Sequence, residues 1–292
     1  MRLNRIPLEI GVDGNKLQSM KTLRFLDRTI GAIAPSLVGL YAARIFVRPR
    51  EGKPRNMNGW TLLSSPQIQR QYVAWGKSAQ GSSKKVLIIH GWESHAGHMN
   101  VLSDALVNAG LNVVALDAPA HGDAEGETTN AIQFAAALLR VSKELGPFDA
   151  IVGHSMGGGA AFIAIADGMQ VGKVVTIGAP YLFSDVLHRF AKYIGLPPKA
   201  EKSFVDRIEQ LTGRSWDETR GDVVAPKVHQ PCLVVHDQDD KEIPFSDAEN
   251  LLKVLPQGEI YKTKGLGHRR ILHDRTTAAY IAQWISAEQI TS

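Results

Sequence analysis

The chain is short of several things, and each shortage narrows what it can be. Among 292 residues there is one cysteine, Cys232, so no disulfide can close within the chain. That cysteine stands in the apolar run PCLVV, where a buried, inert thiol is expected. A reducing, cytoplasmic location follows as the expectation. Neither sign of charge dominates, with 33 Lys and Arg against 29 Asp and Glu. The basic residues are scattered and no aromatic-spaced basic stripe appears, so nucleic acid is not an expected partner. Internal repeats and low-complexity segments are absent. The first residues, MRLNRIPLEIGVDGN, carry two arginines but no following apolar stretch or small-residue cleavage site, so a cleaved signal peptide is not expected. What remains, with 44% hydrophobic and 21% charged residues, is the composition of a soluble globular protein long enough for one large core or two modest ones.

Long uninterrupted apolar runs are also scarce. The stretch Ile30 to Val47 comes nearest, but Pro35, Ser36 and Arg44 interrupt it and it is short for a membrane span. Leu23, Leu26, Ile30, Ile33, Leu37, Leu40, Tyr41 and Ile45 recur at helical spacing. They predict an amphipathic helix over residues 21–48, kinked or restarted at Pro35. Such a helix packs on the domain or a partner protein, or lies on a membrane surface as an anchor.

After about residue 56 short apolar runs alternate with helical patterns, which predicts an α/β fold with a mostly parallel central sheet flanked by helices. Strands are expected at Gln71–Trp75, Lys85–His90, Asn112–Asp117, Ala150–His154, Lys173–Ile177, Cys232–His236 and Glu259–Tyr261. Helices are expected near His98–Ala109, Thr129–Leu145, Gly157–Gly168, Ser246–Val254 and Arg275–Ser286. The alternation breaks once, where residues 182–228 contain helix-like segments and no strand. LPPKAEKSFVDRIEQLTG within that break reads as a proline-started helix ending at a glycine. The organisation expected is an N-terminal extension over 1–56, a core over 57–181 and 229–292, and a helical lid over 182–228.

Gly153-His154-Ser155-Met156-Gly157 fits G-x-S-x-G between the apolar run AIV and the helix-compatible GGGAAFIAIA, a setting in which a serine is exposed on a strained turn. No lysine follows the glycines and G-x-G-x-x-G is absent, which disfavours a phosphate loop and a dinucleotide site. A serine hydroxyl needs a histidine to take its proton and a carboxylate to orient that histidine. Asp240 in CLVVHDQDDKEIP supplies the carboxylate, with Asp237 and Asp239 as rivals, and His268 in KGLGHRRIL supplies the base. His154 reads as a turn residue, and His90 and His121 as hydrogen-bonding residues. His95 and His98 have an H-x-x-H spacing, but the adjoining loop and helix start favour solvent-facing histidines over a metal site.

The order Ser155, Asp240, His268, with Ile89-His90-Gly91-Trp92 as a second marker, resembles the α/β-hydrolase superfamily over roughly residues 57 to 288. The resemblance implies an oxyanion hole from the backbone N–H groups of Trp92 and Met156, worth about 3 kcal/mol of transition-state stabilisation each. It implies a carboxylesterase-type serine hydrolase acting on a small-molecule ester through an acyl-enzyme, without cofactor or metal. Thioester or amide hydrolysis, carbon–carbon bond hydrolysis and acyl transfer use the same residues, and a non-catalytic ligand-binding module would keep the pocket. Trp92, His154 and Arg269 are the candidate pocket residues. The chain departs from the family pattern in its first 50 residues, in the large Trp92 after His-Gly, and in Arg269 and Arg270 beside the histidine.

Overall fold

A computed structural model describes residues 34–50, 57–63 and 72–287. In chain order the elements are α1 (Pro35–Phe46), β1 (Thr61–Leu63), β2 (Val73–Lys77), β3 (Lys85–Ile89), α2 (Asn100–Asn108), β4 (Asn112–Asp117), α3 (Ala131–Leu145), β5 (Phe148–His154), α4 (Met156–Ala166), β6 (Val171–Ile177), α5 (Phe183–Ile194), α6 (Pro198–Thr212), α7 (Gly221–Val224), β7 (Cys232–Asp237), α8 (Phe245–Val254), β8 (Gly258–Thr263), α9 (Gly267–Arg270) and α10 (Arg275–Ser286). Contacts divide the described residues into two units. One holds the residues up to Phe46 together with Ser184–Leu211, and the other holds Val47–Phe183 and the residues from Thr212 onward.

In the smaller unit α1 starts at Pro35, whose fixed φ and missing N–H suit a first helical turn. The part of the expected helix before residue 34 lies outside the described residues. α1 buries Val38, Gly39, Ala42 and Ala43. Its last residue, Phe46, meets Phe190 of α5 and Phe204 of α6 edge-on, with ring centroids 4.9 and 5.6 Å away. Leu37 and Tyr41, one turn apart, remain exposed. Among the described residues no helix is long and apolar enough to cross a membrane.

The larger unit is built on an eight-stranded sheet of order β1-β2-β4-β3-β5-β6-β7-β8. β2 runs antiparallel to β1 and β4, and every other neighbouring pair is parallel. Strand alternation splits the apolar runs between two faces. Leu87 and Ile89 of β3, Leu116 of β4, Ile151 of β5 and Val234 of β7 face one side, packed with Phe134, Leu138, Phe162 and Leu251 of α3, α4 and α8. Val86, Ile88, Ala115, Val152 and Val235 face the other, against Leu102 and Leu106 of α2 and Ile281 and Ile285 of α10. A sheet covered on both faces explains why VLII and VVAL read as continuous apolar runs rather than alternating ones.

Differences from the sequence reading are local. β1 is a three-residue edge strand with Leu62 exposed, too short to show a period. The strand expected at Gln71–Trp75 runs instead from Val73 to Lys77, because its pairing with β4 extends from Val73–Asp117 to Lys77–Val113. The helix expected from His98 is preceded by a 3-10 turn, Ala96–Met99, whose start is capped by His95 accepting from the Gly97 N–H. The one expected from Thr129 begins at Ala131, since Asn130 caps it by accepting from the N–H groups of Ile132 and Gln133.

Leu87 is fully buried and Leu62 is not. Leu87→Ala is therefore expected to lower unfolding free energy by about 2–5 kcal/mol, and Leu62→Ala to change it by less than about 0.5 kcal/mol. Urea titrations of the two variants check this contrast.

Candidate active site

β5 and α4 are joined by Ser155 alone, and the chain must reverse within that residue. Ser155 takes φ 52° and ψ −122°, a conformation costing a residue with a side chain about 1–3 kcal/mol and retained where the surroundings enforce it. Its N–H donates to the Ile177 carbonyl at the end of β6 at 2.8 Å, which pins the turn to the sheet. Gly91, just beyond β3, comes so close that a Cβ there would lie 2.9 Å from the Ser155 Cβ. Only glycine permits that approach. Met156 opens α4, so its N–H belongs to the first turn, which has no acceptors within the helix.

His268 and Asp240 lie on the segments that follow β8 and β7. His268 Nδ1 donates to Asp240 Oδ2 at 2.7 Å, and both side chains are buried. This fixes the tautomer, leaving His268 Nε2 as a proton acceptor. The other carboxylate oxygen, Oδ1, accepts from the N–H groups of Glu242 and Ile243 at 2.8 and 2.9 Å. Of the three aspartates in the segment, Asp240 is the one that reaches His268. Asp239 is exposed, and Asp237 is buried among other donors. Burial alone would raise the Asp240 pKa, but the nearby imidazoles of His236 and His268 and the Ile243 N–H favour the carboxylate and outweigh it, and the carboxyl is held well below the usual carboxylate range.

His236 is a residue that sequence reasoning missed. It is fully buried, donates from Nε2 to the Ile243 carbonyl at 3.0 Å, and keeps the same nitrogen 3.5 Å from Asp240 Oδ2. The signal available was a histidine directly after the apolar run CLVV of β7. His154 is buried too. Its Nε2 donates to the His268 carbonyl at 2.9 Å and its ring lies 4.7 Å from that of His268. Burial, then the nearby charge of His268, lowers the His154 pKa to about 3, so this imidazole is neutral near pH 7.

The segment His90-Gly91-Trp92-Glu93 is held from several sides. His90 Nδ1 donates to the Gly91 carbonyl at 2.7 Å and its Nε2 accepts from the Ala118 N–H at 3.1 Å. His121 Nε2 accepts from the Glu93 N–H at 3.0 Å, and its Nδ1 donates to the Pro119 carbonyl. The Glu93 carboxylate pairs with Arg50, whose Nε lies 2.7 Å from Oε2, and Glu93 itself takes φ 52°. The Trp92 ring stands edge-on to His121 at 5.2 Å. Of the candidate pocket residues, Trp92 is partly buried and His154 sits under His268. Arg269 is engaged by Glu242 at 2.8 and 3.3 Å. The rings of His95 and His98 lie 3.9 Å apart, and among the described residues no group of three or more His, Cys, Asp or Glu is arranged to hold a metal.

The site thus holds a serine on a strained turn, a histidine paired through Nδ1 to a buried carboxylate, and a loop that a glycine brings against the serine. The sequence pattern of the alpha/beta hydrolase family matches residues 86–283, well over half of the chain, and the chain belongs to that family. It is similar in fold to an esterase from Exiguobacterium antarcticum, with a TM-score of 0.57 at 17% identity over 74% of this chain and 96% of that one. A bromoperoxidase from Bacillus anthracis gives a TM-score of 0.57 at 19% identity, over 77% and 99% of the two chains. A segment of 111 residues is 35% identical to the dihydrolipoyllysine-residue acetyltransferase component of an acetoin cleaving system from Cupriavidus necator, covering 37% of this chain and 29% of that protein. The chain thus spans less than a third of that relative.

The buried histidine makes a pH prediction. A folded pKa depressed from 6.5 to about 3 means that His154 contributes stability fully present above about pH 6.5 and lost progressively as pH falls towards 3. Asp240, also depressed, adds a loss beginning below about pH 4. Urea titrations across pH 3–7 are expected to show wild-type stability falling over this window. They are expected to show a flatter curve for His154→Gln between pH 6.5 and 4.5, and an unchanged slope there would contradict the assignment.

Proposed function

We propose that the protein is a serine hydrolase of carboxylesterase type, cleaving small-molecule carboxylic esters through an acyl-enzyme. The single observation that carries this reading is the 2.7 Å hydrogen bond from His268 Nδ1 to Asp240 Oδ2, because it leaves Nε2 ready to take a proton. Ser155 attacks the ester carbonyl while His268 Nε2 accepts the hydroxyl proton. Asp240 keeps the resulting imidazolium oriented and charge-compensated. The backbone N–H groups of Trp92 and Met156 receive the developing oxyanion, each contributing about 3 kcal/mol. His268 then gives its proton to the leaving alcohol, and water activated by the same nitrogen releases the acid and restores Ser155. The helical segment 182–228 would serve as the lid, and the location proposed is cytoplasmic, in keeping with a chain that has one cysteine.

Acyl transfer is the second reading. The local likeness to an acetyltransferase component favours it over amide or carbon–carbon hydrolysis, because transfer differs from hydrolysis only in what attacks the acyl-enzyme. Turnover of p-nitrophenyl butyrate with added alcohols or thiols separates the two by product analysis. Butyric acid alone indicates hydrolysis, and a butyryl ester or thioester of the acceptor indicates transfer. Ser155→Ala and His268→Ala are each expected to lower kcat by at least about a thousandfold with the fold intact. Retention of wild-type turnover by Ser155→Ala would overturn the serine mechanism.

A further inference from the structure

Asp237 is a buried carboxylate that the mechanism above does not use, and its donors come from the loop that carries His268. Its Oδ1 accepts from the Asp239 N–H at 3.0 Å. Its Oδ2 accepts from the Thr263 hydroxyl at 2.8 Å and from the Leu266 N–H at 3.0 Å. The residue is 1% exposed. A carboxylate satisfied by several N–H and O–H donors stays ionised and holds each of them with the strength of a charge-assisted bond.

The placement matters more than the number of bonds. Asp237 is the last residue of β7 and lies in register with Thr263, the last residue of β8. Asp240 follows β7 by three residues, and His268 follows Leu266 and Gly267 directly. The loop between Thr263 and His268 contains Gly265 at φ 86° and Gly267 at φ 67°. Glycines in this region give the chain little intrinsic preference for one conformation, so the loop takes its shape from what it is tied to. At its two ends the Thr263 carbonyl accepts from the Gln238 N–H at 2.8 Å and the His268 carbonyl accepts from His154 Nε2 at 2.9 Å; between them the Arg270 guanidinium donates to the Gly265 carbonyl at 2.9 Å and the Leu266 N–H is held by the Asp237 carboxylate.

We infer that Asp237 is a positioning residue that clamps the His268 loop to the end of β7 and so sets the distance between His268 and Asp240. The inference rests on reading His268 as the general base. Replacing the carboxylate leaves the Leu266 N–H and the Thr263 hydroxyl without their acceptor, and the loop relaxes away from Asp240. Chemistry suffers while the substrate-binding surface is untouched, because displacement of a catalytic group of about 1 Å costs up to about a hundredfold in rate.

The test compares Asp237→Asn, Thr263→Val and Thr263→Ser with the wild type below their unfolding temperatures. Asp237→Asn keeps the volume and the acceptor for Asp239 but loses the acceptor on the loop side. It is expected to lower kcat for p-nitrophenyl butyrate by at least about tenfold with KM changed less than about twofold. Thr263→Val removes one donor and is expected to give a smaller fall in kcat, while Thr263→Ser restores the hydroxyl and wild-type rates. Two measurements do not depend on turnover. The proton NMR signal of the His268 Nδ1–H bonded to Asp240 is expected to broaden or vanish in Asp237→Asn, and amide exchange at Leu266 is expected to speed up while β5 and β6 stay protected. Wild-type kcat and a sharp imidazole signal in Asp237→Asn would overturn the inference. Should Asp237→Asn fail to fold, equal kcat and equal NMR signals in Thr263→Val and the wild type would overturn it instead. A wild type that shows the NMR and exchange response but no ester turnover would sink the esterase reading and leave the clamp standing.

Discussion

The position of the Asp240 charge governs the rest of the site. A carboxylate at the centre of a protein is costly unless its lone pairs are filled, and here they are filled by the N–H groups of Glu242 and Ile243 on one oxygen and by His268 on the other. The two backbone donors aim Oδ2 at His268, and His236 stands behind the same oxygen at 3.5 Å. Breaking such a network by removing one member leaves a buried group unpaired, which is more damaging than the net worth of any single bond. The tautomer of His268, which leaves Nε2 without a proton, follows from that one arrangement.

The fold delivers these groups to one edge by placing them after parallel strands. Ser155, His268, Asp240 and Gly91 follow β5, β8, β7 and β3 respectively. In an open parallel sheet the carboxyl ends of the strands all point one way, and groups on the following loops converge there. The apolar layers on both faces hold the strands rigid, and the loops inherit that rigidity through a few bonds. These include Ser155 to Ile177, Glu93 to His121 and Leu266 to Asp237.

The central strands and the serine turn were legible in the sequence because their signals are periodic and local. The strand over Asn112–Asp117 and the helix over Arg275–Ser286 fall where the pattern places them. β1 was not legible, since three residues at an edge carry no period, and the helix starts shifted by the few residues that caps decide. Around the candidate site, Ser155 and His268 announce themselves by their glycine-rich settings. The choice among Asp237, Asp239 and Asp240 did not, because all three follow the same strand and only the path of the loop decides which carboxylate meets the imidazole. His236 and the pairing of Arg50 with Glu93 were invisible for the same reason. They join residues far apart in sequence or hidden at the end of an apolar run.

Membership of the alpha/beta hydrolase family sets the architecture but not the acyl group, and neighbours that include an esterase and a bromoperoxidase illustrate how widely chemistry varies on one scaffold. What the account commits to is covalent chemistry at one atom, the Ser155 hydroxyl oxygen. Intact-protein and peptide mass spectrometry of samples acid-quenched during p-nitrophenyl butyrate turnover tests this most directly. The account predicts an adduct of one butyryl group per chain, located in the peptide containing Ser155 and absent from Ser155→Ala. Wild-type turnover with no adduct at any quench time, or an adduct on another residue, would contradict it.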